Sequence, residues 1–272
     1  KVGKLSGDLA ILSEIIKCYH YYYVEEYHLM LATAKQALKA IHKLSDRQLF
    51  IKESFLHRIA EVLGHVSLHL NDIEAARFYA KIIINADICA KTVSGAYYIL
   101  GMTYLAEDKT KCIEYLRARY EIARTLGEES IERNARRGLD IAKLYLNVQL
   151  DADSDPLLLR LQNNKGSEFE LNLIKEAAFK QGDDGILVIL KGIAKNSVKK
   201  LHEYRKTFFK QQNYYFASLA AREIQKMDEN CSDMIEEFIE FKIETRGDVD
   251  FEEDYIKCFT SISDCRSCSI SA

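Results

Sequence analysis

Three glycines recur at a constant interval along this chain: Gly64, Gly101 and Gly138 are each 37 residues apart. Each lies within a run whose apolar residues follow helical spacing, where a glycine costs about 1 kcal/mol of helix propensity relative to alanine. Such a glycine is tolerated where the backbone of a partner helix comes close. A fixed period of this length is typical of stacked helical hairpins, in which each repeat contacts only its neighbours.

The middle repeat is the most informative, because residues 97–104 spell Tyr-x-x-Leu-Gly-x-x-Tyr. This resembles the W-x2-L-G-x2-Y core of a tetratricopeptide repeat, with Tyr in place of Trp. The first repeat keeps Leu-Gly at residues 63–64 and has Ala76 where its second helix must approach. The pattern predicts an all-α, right-handed helical-repeat (TPR-like) solenoid with a concave face suited to an extended peptide. The paired helices should cross most closely at the first two glycines.

Composition supports an all-helical chain. One proline, Pro156, and 12 glycines in 272 residues are too few for the frequent turns of a β-sandwich or for the glycine-rich turns of a doubly wound α/β fold. The net charge of −3 exerts no global attraction on nucleic acid or an anionic membrane. No run approaches 18 apolar residues, and no signal peptide is recognisable, so we expect a cytoplasmic protein with no membrane contact. Because the chain opens with Lys1, we expect that an N-terminal portion has been removed.

The helical pattern divides the chain into three parts. We assign residues 1–150 to TPR-like repeats, 151–245 to C-terminal repeats with dimerisation helices, and 246–272 to a C-terminal extension. The first boundary is drawn at residues 151–156, where an Asp/Ser cluster precedes the only proline and predicts a hinge. The Ser- and Cys-rich end of the extension is typical of a weakly structured tail.

Candidate metal and catalytic groups are few. His65 and His69 stand one turn apart on a helix, with Glu61 on the same face, but no third ligand is evident and a groove-lining role is favoured. Four of the seven cysteines (Cys18, Cys89, Cys112 and Cys231) lie in helical patterns and are interpreted as small buried hydrophobes. The other three, Cys258, Cys265 and Cys268, lack a fourth zinc ligand. The sequence therefore predicts no metal, no cofactor and no enzyme activity.

Two further clusters have a structural interpretation. The basic residues Arg133, Arg136 and Arg137 are interleaved with acids, which favours a solvated helix face over a DNA patch. The run of aromatic residues at 19–23 is interpreted as packing, because tyrosine covers half-buried helix surfaces well.

Residues 208–230, which read FFKQQNYYFASLAAREIQKMDEN, resemble the C-terminal repeat of the arbitrium receptors. These AimR-type proteins of temperate phages of bacilli share the order aromatic-Phe-Lys, Asn, Phe, Leu and then Lys-Met-x-Glu-Asn. Residues 3–5, 19–21, 50–116 and 190–192 are also similar to that family, in the same order. The resemblance implies a cytoplasmic sensor that dimerises through its C-terminal repeats and binds a short secreted peptide in its groove.

The resemblance also implies a transcription regulator of the choice between lysis and lysogeny, which contacts DNA through an N-terminal helix-turn-helix domain. That domain and the first repeats would be the missing N-terminal part. A helical-repeat protein-interaction module with no peptide ligand stays open as the alternative. An upstream helix-turn-helix in the full gene, or a secreted-peptide gene downstream, would favour the receptor.

The family register places the peptide-binding positions on seven residues of this chain: His65, His69, Lys91, Met102, Leu105, Tyr214 and Phe216. At three positions where family members have asparagine, this chain has two histidines and a methionine. It has Tyr214 where they have the Asp that pairs with the peptide arginine. Lys91 keeps the basic character and could hold a peptide carboxylate. The register implies that this chain recognises a different peptide, or none.

The dimer prediction depends on an apolar stripe on the last helix of the pattern: Met234, Ile235, Phe238, Ile239 and Phe241. A terminal repeat needs a polar outer face, so this stripe must be covered. We expect a second copy to cover it in a homodimer that uses the helices at 214–243. The competing interpretation is that residues 246–259 fold back over the stripe.

Overall fold

The computed structural model describes residues 5–45, 48–181, 184–228 and 233–245. These residues form thirteen α-helices and no strand, which confirms the all-α helical-repeat solenoid. The helices are α1 Asp8–Tyr23, α2 Tyr27–Ile41, α3 Leu49–His69, α4 Ile73–Ala86, α5 Ala90–Thr103, α6 Lys109–Thr125, α7 Glu129–Tyr145, α8 Pro156–Asn163, α9 Glu170–Gln181, α10 Gly185–Ala194, α11 Val198–Lys210, α12 Tyr214–Met227 and α13 Asp233–Glu240.

Successive helices pack as antiparallel hairpins, α1 with α2, α3 with α4 and α5 with α6, and the first helices of these hairpins also touch. Short polar residues set the helix starts, because their side chains accept hydrogen bonds from backbone N–H groups of the first turn. Asp72 and Asp108 do so for α4 and α6, and Asn213 does so for α12. Each cap contributes about 1 kcal/mol, so the breaks in the apolar pattern coincide with helix boundaries.

The repeated glycines lie at close helix crossings, as predicted for Gly64 and Gly101. A Cβ at Gly64 would lie 3.4 Å from Cβ of Tyr79 on the paired helix α4 and 3.1 Å from Cδ1 of Ile99 on α5. One at Gly101 would lie 2.6 Å from Cγ of Leu116 on α6. Gly138 differs, because a Cβ there would meet the Arg119 guanidinium at 2.8 Å. In the third repeat the glycine therefore makes room for a charged side chain.

The predicted hinge at residues 151–156 lies between α7 and α8, but the carboxylates of Asp151 and Asp153 are tied to α7, and that of Asp155 caps α8. Arg136 binds Asp153 at 2.7 Å and Asp140 at 3.2 Å, and Lys143 Nζ donates to Asp151 at 2.7 Å. The side chains of Asp140 and Lys143 are each 1% exposed. The interpretation of Arg136 as part of a solvated face is therefore wrong. Arg133 does lie on a solvated face, since both it and its partner Glu129 are exposed.

The C-terminal residues of the described chain return to the middle of the solenoid. The segment Phe241–Thr245, which follows α13, lies against the turn between α3 and α4. Ile243 N–H donates to Leu70 O at 3.1 Å, and the Asn71 side-chain amide donates to Phe241 O at 2.9 Å. We call this segment the latch, because it joins the C-terminal helices to the first repeats.

Helix α12 lies against the face formed by α3, α5 and α7. The Tyr215 hydroxyl donates to the backbone oxygen of Met102 at 2.6 Å, and the Tyr145 hydroxyl donates to Glu223 at 2.7 Å. With the latch, these contacts convert the solenoid into a ring, and α12 fills part of the concave groove that the repeat pattern predicts.

The apolar stripe of α13 is covered within the chain. Ile235 is 4% exposed, and Phe238 packs on the ring of Phe209 with the Arg205 guanidinium 3.7 Å from its ring centre. Phe241 contacts Phe209 and Tyr214 but stays 37% exposed. Ile235 and Phe238 are thus packed within the chain, and the homodimer stays a prediction.

Several sequence-based interpretations fall on residues outside the described ones. They are the side chain of Met234, residues 246–272 and the cysteines at 231, 258, 265 and 268. Among the others, Cys18 and Cys112 are buried as expected, whereas Cys89 is only partly buried, at the residue before α5.

Candidate functional site

A cavity of about 400 Å³ lies inside the ring. Its wall contains aromatic, amide and charged groups: Tyr22, His65, Leu68, His69, Gly95, Tyr98, Met102, Arg119, Asn134, Arg137, Gly138, Asp184, Asn213, Tyr215 and Phe216. One side comes from the repeats α1 to α7. The other comes from α12 and from the residues that begin α10 and α12, so the cavity exists because the ring is closed.

His65 and His69 line this cavity, as their position on an inner helix predicts. The His69 ring stacks on Tyr27 at 5.6 Å between centres, and the His65 ring lies 6.0 Å from that of Tyr22. Burial lowers the pKa of His65, and burial together with the His65 charge lowers the pKa of His69 to about 4. Both imidazoles are therefore neutral near pH 7 and act as hydrogen-bonding groups.

Glu61 does not join them in the cavity, although it lies on the same helix. It accepts a hydrogen bond from the Tyr19 hydroxyl at 2.6 Å and pairs with Arg58 at 3.2 Å. The carboxylate is thus engaged on the side of α3 that faces α1.

The structure brings together four of the seven residues assigned from the family register: His65, His69, Met102 and Phe216. The other three do not line this cavity. Lys91 is 64% exposed and lies 3.9 Å from Glu128. Leu105 is buried in the core, and Tyr214 packs on Phe209 and Phe241.

Two arginines that the sequence did not single out as ligands supply the positive charge of the cavity. Arg119 reaches it from α6, and its Nη2 donates to the Asn134 side-chain oxygen at 2.8 Å. Its guanidinium lies over the Tyr98 ring, 4.6 Å from the centre, a cation–π arrangement. The second is Arg137, from α7. The sequence pattern assigns Arg137 to a solvated face, because acids are interleaved with it, and does not single out Arg119.

Asp184 is the one carboxylate among the described residues that line the cavity. Its Oδ1 accepts from the backbone N–H of Ile186 at 2.8 Å, which caps α10. Burial raises the pKa of Asp184, and the cap and the charge of Arg137 oppose that rise. The acid is therefore already committed to the helix start and to Arg137.

This lining suits a short polar polymer. It offers amide and imidazole groups for a peptide backbone, aromatic and Met side chains for apolar groups, and guanidinium groups for an anion. No cluster of three or more His, Cys, Asp or Glu side chains in the described part of the chain could hold a metal ion. Residues 2–226 match the sequence profile of the AimR transcriptional regulator-like family. The chain belongs to this family.

Solved structures show the same fold for this AimR-like chain. A structure of selenomethionine phAimR matches with a TM-score of 0.69 and 19% identity, over 87% of this chain and 63% of that one. A structure of phAimR with a ligand matches with a TM-score of 0.62 and 19% identity, over 84% and 70%. The AimR-like chain thus spans less than two thirds of the length of the first of these. No curated protein matches it.

The AimR-like chain has two larger depressions, the first of which shares Asn134 and Arg137 with the cavity inside the ring. One of about 750 Å³ is lined by Arg133, Arg136 and the acids near them, and the other of about 610 Å³ is lined by Leu105, Lys165 and Glu223 among others. Both are walled by charged groups that form ion pairs or hydrogen bonds within the chain. No helix in the described residues has the length and hydropathy needed to cross a membrane.

Proposed function

We propose that this chain is the ligand-binding part of an AimR-type phage transcription regulator, and that a short secreted peptide binds in the cavity inside the ring. The observation that carries the proposal is the position of the cavity: His65 on α3 and Phe216 on α12 face the same space from opposite sides of the ring. Its volume of about 400 Å³ falls in the range of small-ligand sites. The family match supports the regulatory part.

In this proposal the peptide acts on the ring rather than on one repeat. A ligand that contacts both α3 and α12 binds the closed ring better than an opened one, and it shifts the population toward the closed form. In this proposal DNA is contacted by a helix-turn-helix domain, as the family resemblance implies. The response would set the choice between lysis and lysogeny in the cytoplasm of the bacterial host.

Calorimetry of the purified chain with synthetic hexapeptides, including the arginine-bearing arbitrium type, tests the proposal. Gly95 offers a matched pair of variants, because the nearest atom to a Cβ there is His65 Nε2 at 3.8 Å. Gly95→Leu should fill the cavity and abolish peptide binding, whereas Gly95→Ala should leave most of the space. Binding that survives Gly95→Leu would place the peptide elsewhere. Absence of binding for every peptide would favour the protein-interaction module.

We also propose a homodimer that uses the outer surface of α12 and α13. Phe241 is partly exposed there, beside the exposed acids Glu236, Glu237 and Glu240. Light scattering of the full chain at micromolar concentration should give twice the monomer mass of 31.3 kDa, and Phe241→Ser should lower it. A monomeric mass for the unmodified chain would contradict the dimer.

A further inference from the structure

The Arg119 guanidinium is a charged group that the chain holds in place without neutralising it. It donates to the neutral Asn134 side chain and stacks over Tyr98. No carboxylate of the described residues forms an ion pair with it, and its charge acts on Tyr98 and His65. Burial lowers the pKa of Arg119. Arg119 thus bears its charge at the cavity wall with only an amide and a ring as partners.

The position of this guanidinium, which α6 carries, is built by the two neighbouring helices α5 and α7. Tyr98 from α5 supports one face, Asn134 from α7 fixes Nη2, and Gly138 leaves the space that Nη1 occupies, since a Cβ there would lie 2.8 Å away. A guanidinium held in this way presents its remaining N–H donors in a fixed fork, which matches the geometry of a carboxylate. Little side-chain freedom is left to lose on binding.

The other charges of the cavity leave Arg119 unbalanced. Among the described residues, two arginines and one aspartate line it, so their formal sum is two minus one, a net charge of +1. Asp184 caps α10 and faces the Arg137 charge. The two histidines are neutral near pH 7 because burial disfavours their charged forms. An anionic group is therefore the complement that the cavity lacks.

We propose that the cavity selects a peptide that carries a carboxylate, from an acidic side chain or from its free C-terminus, and that this carboxylate binds the Arg119 guanidinium. The inference rests on the proposed function, because it names the chemistry of the same ligand. It also predicts discrimination against peptides whose main charge is an arginine. Their guanidinium would meet Arg119 and Arg137, while Asp184 is already engaged.

Affinity selection of a synthetic hexapeptide library, read out by mass spectrometry on the full chain, tests this. The library is made in two forms, with a free C-terminal acid and with a C-terminal amide. Enrichment of Asp or Glu in the amide form would identify a side-chain carboxylate. Binding confined to the acid form would identify the C-terminus. Either outcome supports the inference, whereas retained peptides without a carboxylate preference would overturn it.

Variants then test the residue itself with the selected peptides. Arg119→Gln should weaken binding about tenfold to a hundredfold, because a charge-assisted hydrogen bond is lost. Arg119→Lys should retain part of the affinity. Arg117→Gln, at an exposed position on the same helix, is the matched control and should change binding less than twofold.

The proposed function and the role of Arg119 would be contradicted by different results. If no peptide of either library is retained, the proposed function is wrong. If peptides are retained and Arg119→Gln binds them as well as the unmodified chain does, the role of Arg119 is wrong and the receptor proposal stands. Should Arg119→Gln lose its helical circular dichroism, the comparison of acid and amide libraries on the unmodified chain still decides, because it needs no variant.

Discussion

The carboxylate of Asp72 accepts hydrogen bonds from both the backbone N–H and the hydroxyl of Thr245, at 2.7 and 3.0 Å, across 173 residues of chain. The Thr245 hydroxyl also lies 2.6 Å from that of Ser67. All three residues are buried. This small network is the end point of the latch, and it attaches the C-terminal helices to Ser67 near the end of α3 and to Asp72, the N-cap of α4.

Thr245→Val should destabilise the protein, because it keeps the shape of the side chain but leaves the Ser67 hydroxyl and one bond to Asp72 unmatched. We expect a loss of about 1–2 kcal/mol in the free energy of unfolding, measured by urea denaturation. Glu244→Gln, on the exposed neighbouring residue, is the control and should have an effect within about 0.5 kcal/mol. Equal stability of the two variants would mean that the latch does not hold the ring closed.

The same substitution at two glycines of α5 should have opposite effects. Gly101→Ala gains helix propensity but places its Cβ 2.6 Å from Leu116, so we expect a net loss of about 1–3 kcal/mol. Gly95→Ala meets no atom closer than 3.8 Å and should gain up to about 1 kcal/mol. Thermal unfolding of both variants gives the two signs. A stabilised Gly101→Ala protein would contradict the close crossing of α5 and α6.

Arg136 and Arg133 stand three residues apart on α7 and allow a matched test of burial. Arg136→Gln removes the main charge partner of Asp140, which is 1% exposed, so we expect a loss of about 3 kcal/mol. Arg133→Gln breaks an exposed pair with Glu129 and should cost at most about 1 kcal/mol. Urea denaturation of the two proteins checks the difference, and similar losses would contradict the buried network.

The lowered pKa of His69 predicts a dependence of stability on pH. Unfolded His69 takes up a proton near pH 6.5 and the folded residue does so near pH 4. Because the unfolded state then binds more protons, the free energy of unfolding falls as the pH is lowered through this window, by about 1–3 kcal/mol. In His69→Asn this dependence should be weaker, whereas His28→Asn, at an exposed residue, should retain it. Parallel curves for all three proteins would contradict burial of the imidazole.

The repeat architecture could be predicted from the sequence because its cause is local and periodic. Gly64 and Gly101 are needed wherever a partner helix comes close, and that requirement recurs with each repeat. The helix breaks were also readable, since the capping residues Asp72 and Asp108 are short acids at the end of an apolar pattern. These signals come from residues that are close together in the sequence, so a single amino-acid sequence is enough to recognise them.

The ring closure and half of the cavity could not be predicted, because their partners are distant and not periodic. Nothing in the sequence links Asp72 to Thr245. Nothing in the sequence around Arg119 distinguishes it from a solvated arginine. Its position depends on Gly138, which the sequence shows only as the glycine of a weakly matching repeat. The family register assigns Lys91 to the site. Its position near the start of α5 places it close to Glu128, outside the ring interior.

The latch changes the mechanics of the fold. An open solenoid behaves as a spring, in which one joint can bend while distant joints stay at rest, and its ends fray independently. A chain in which Thr245 is hydrogen-bonded to Asp72 is a closed ring. Its radius can change only when several helix–helix contacts move together. A ligand that binds inside the ring, or a partner that binds outside it, therefore displaces helices all around the circumference, including those on the opposite side.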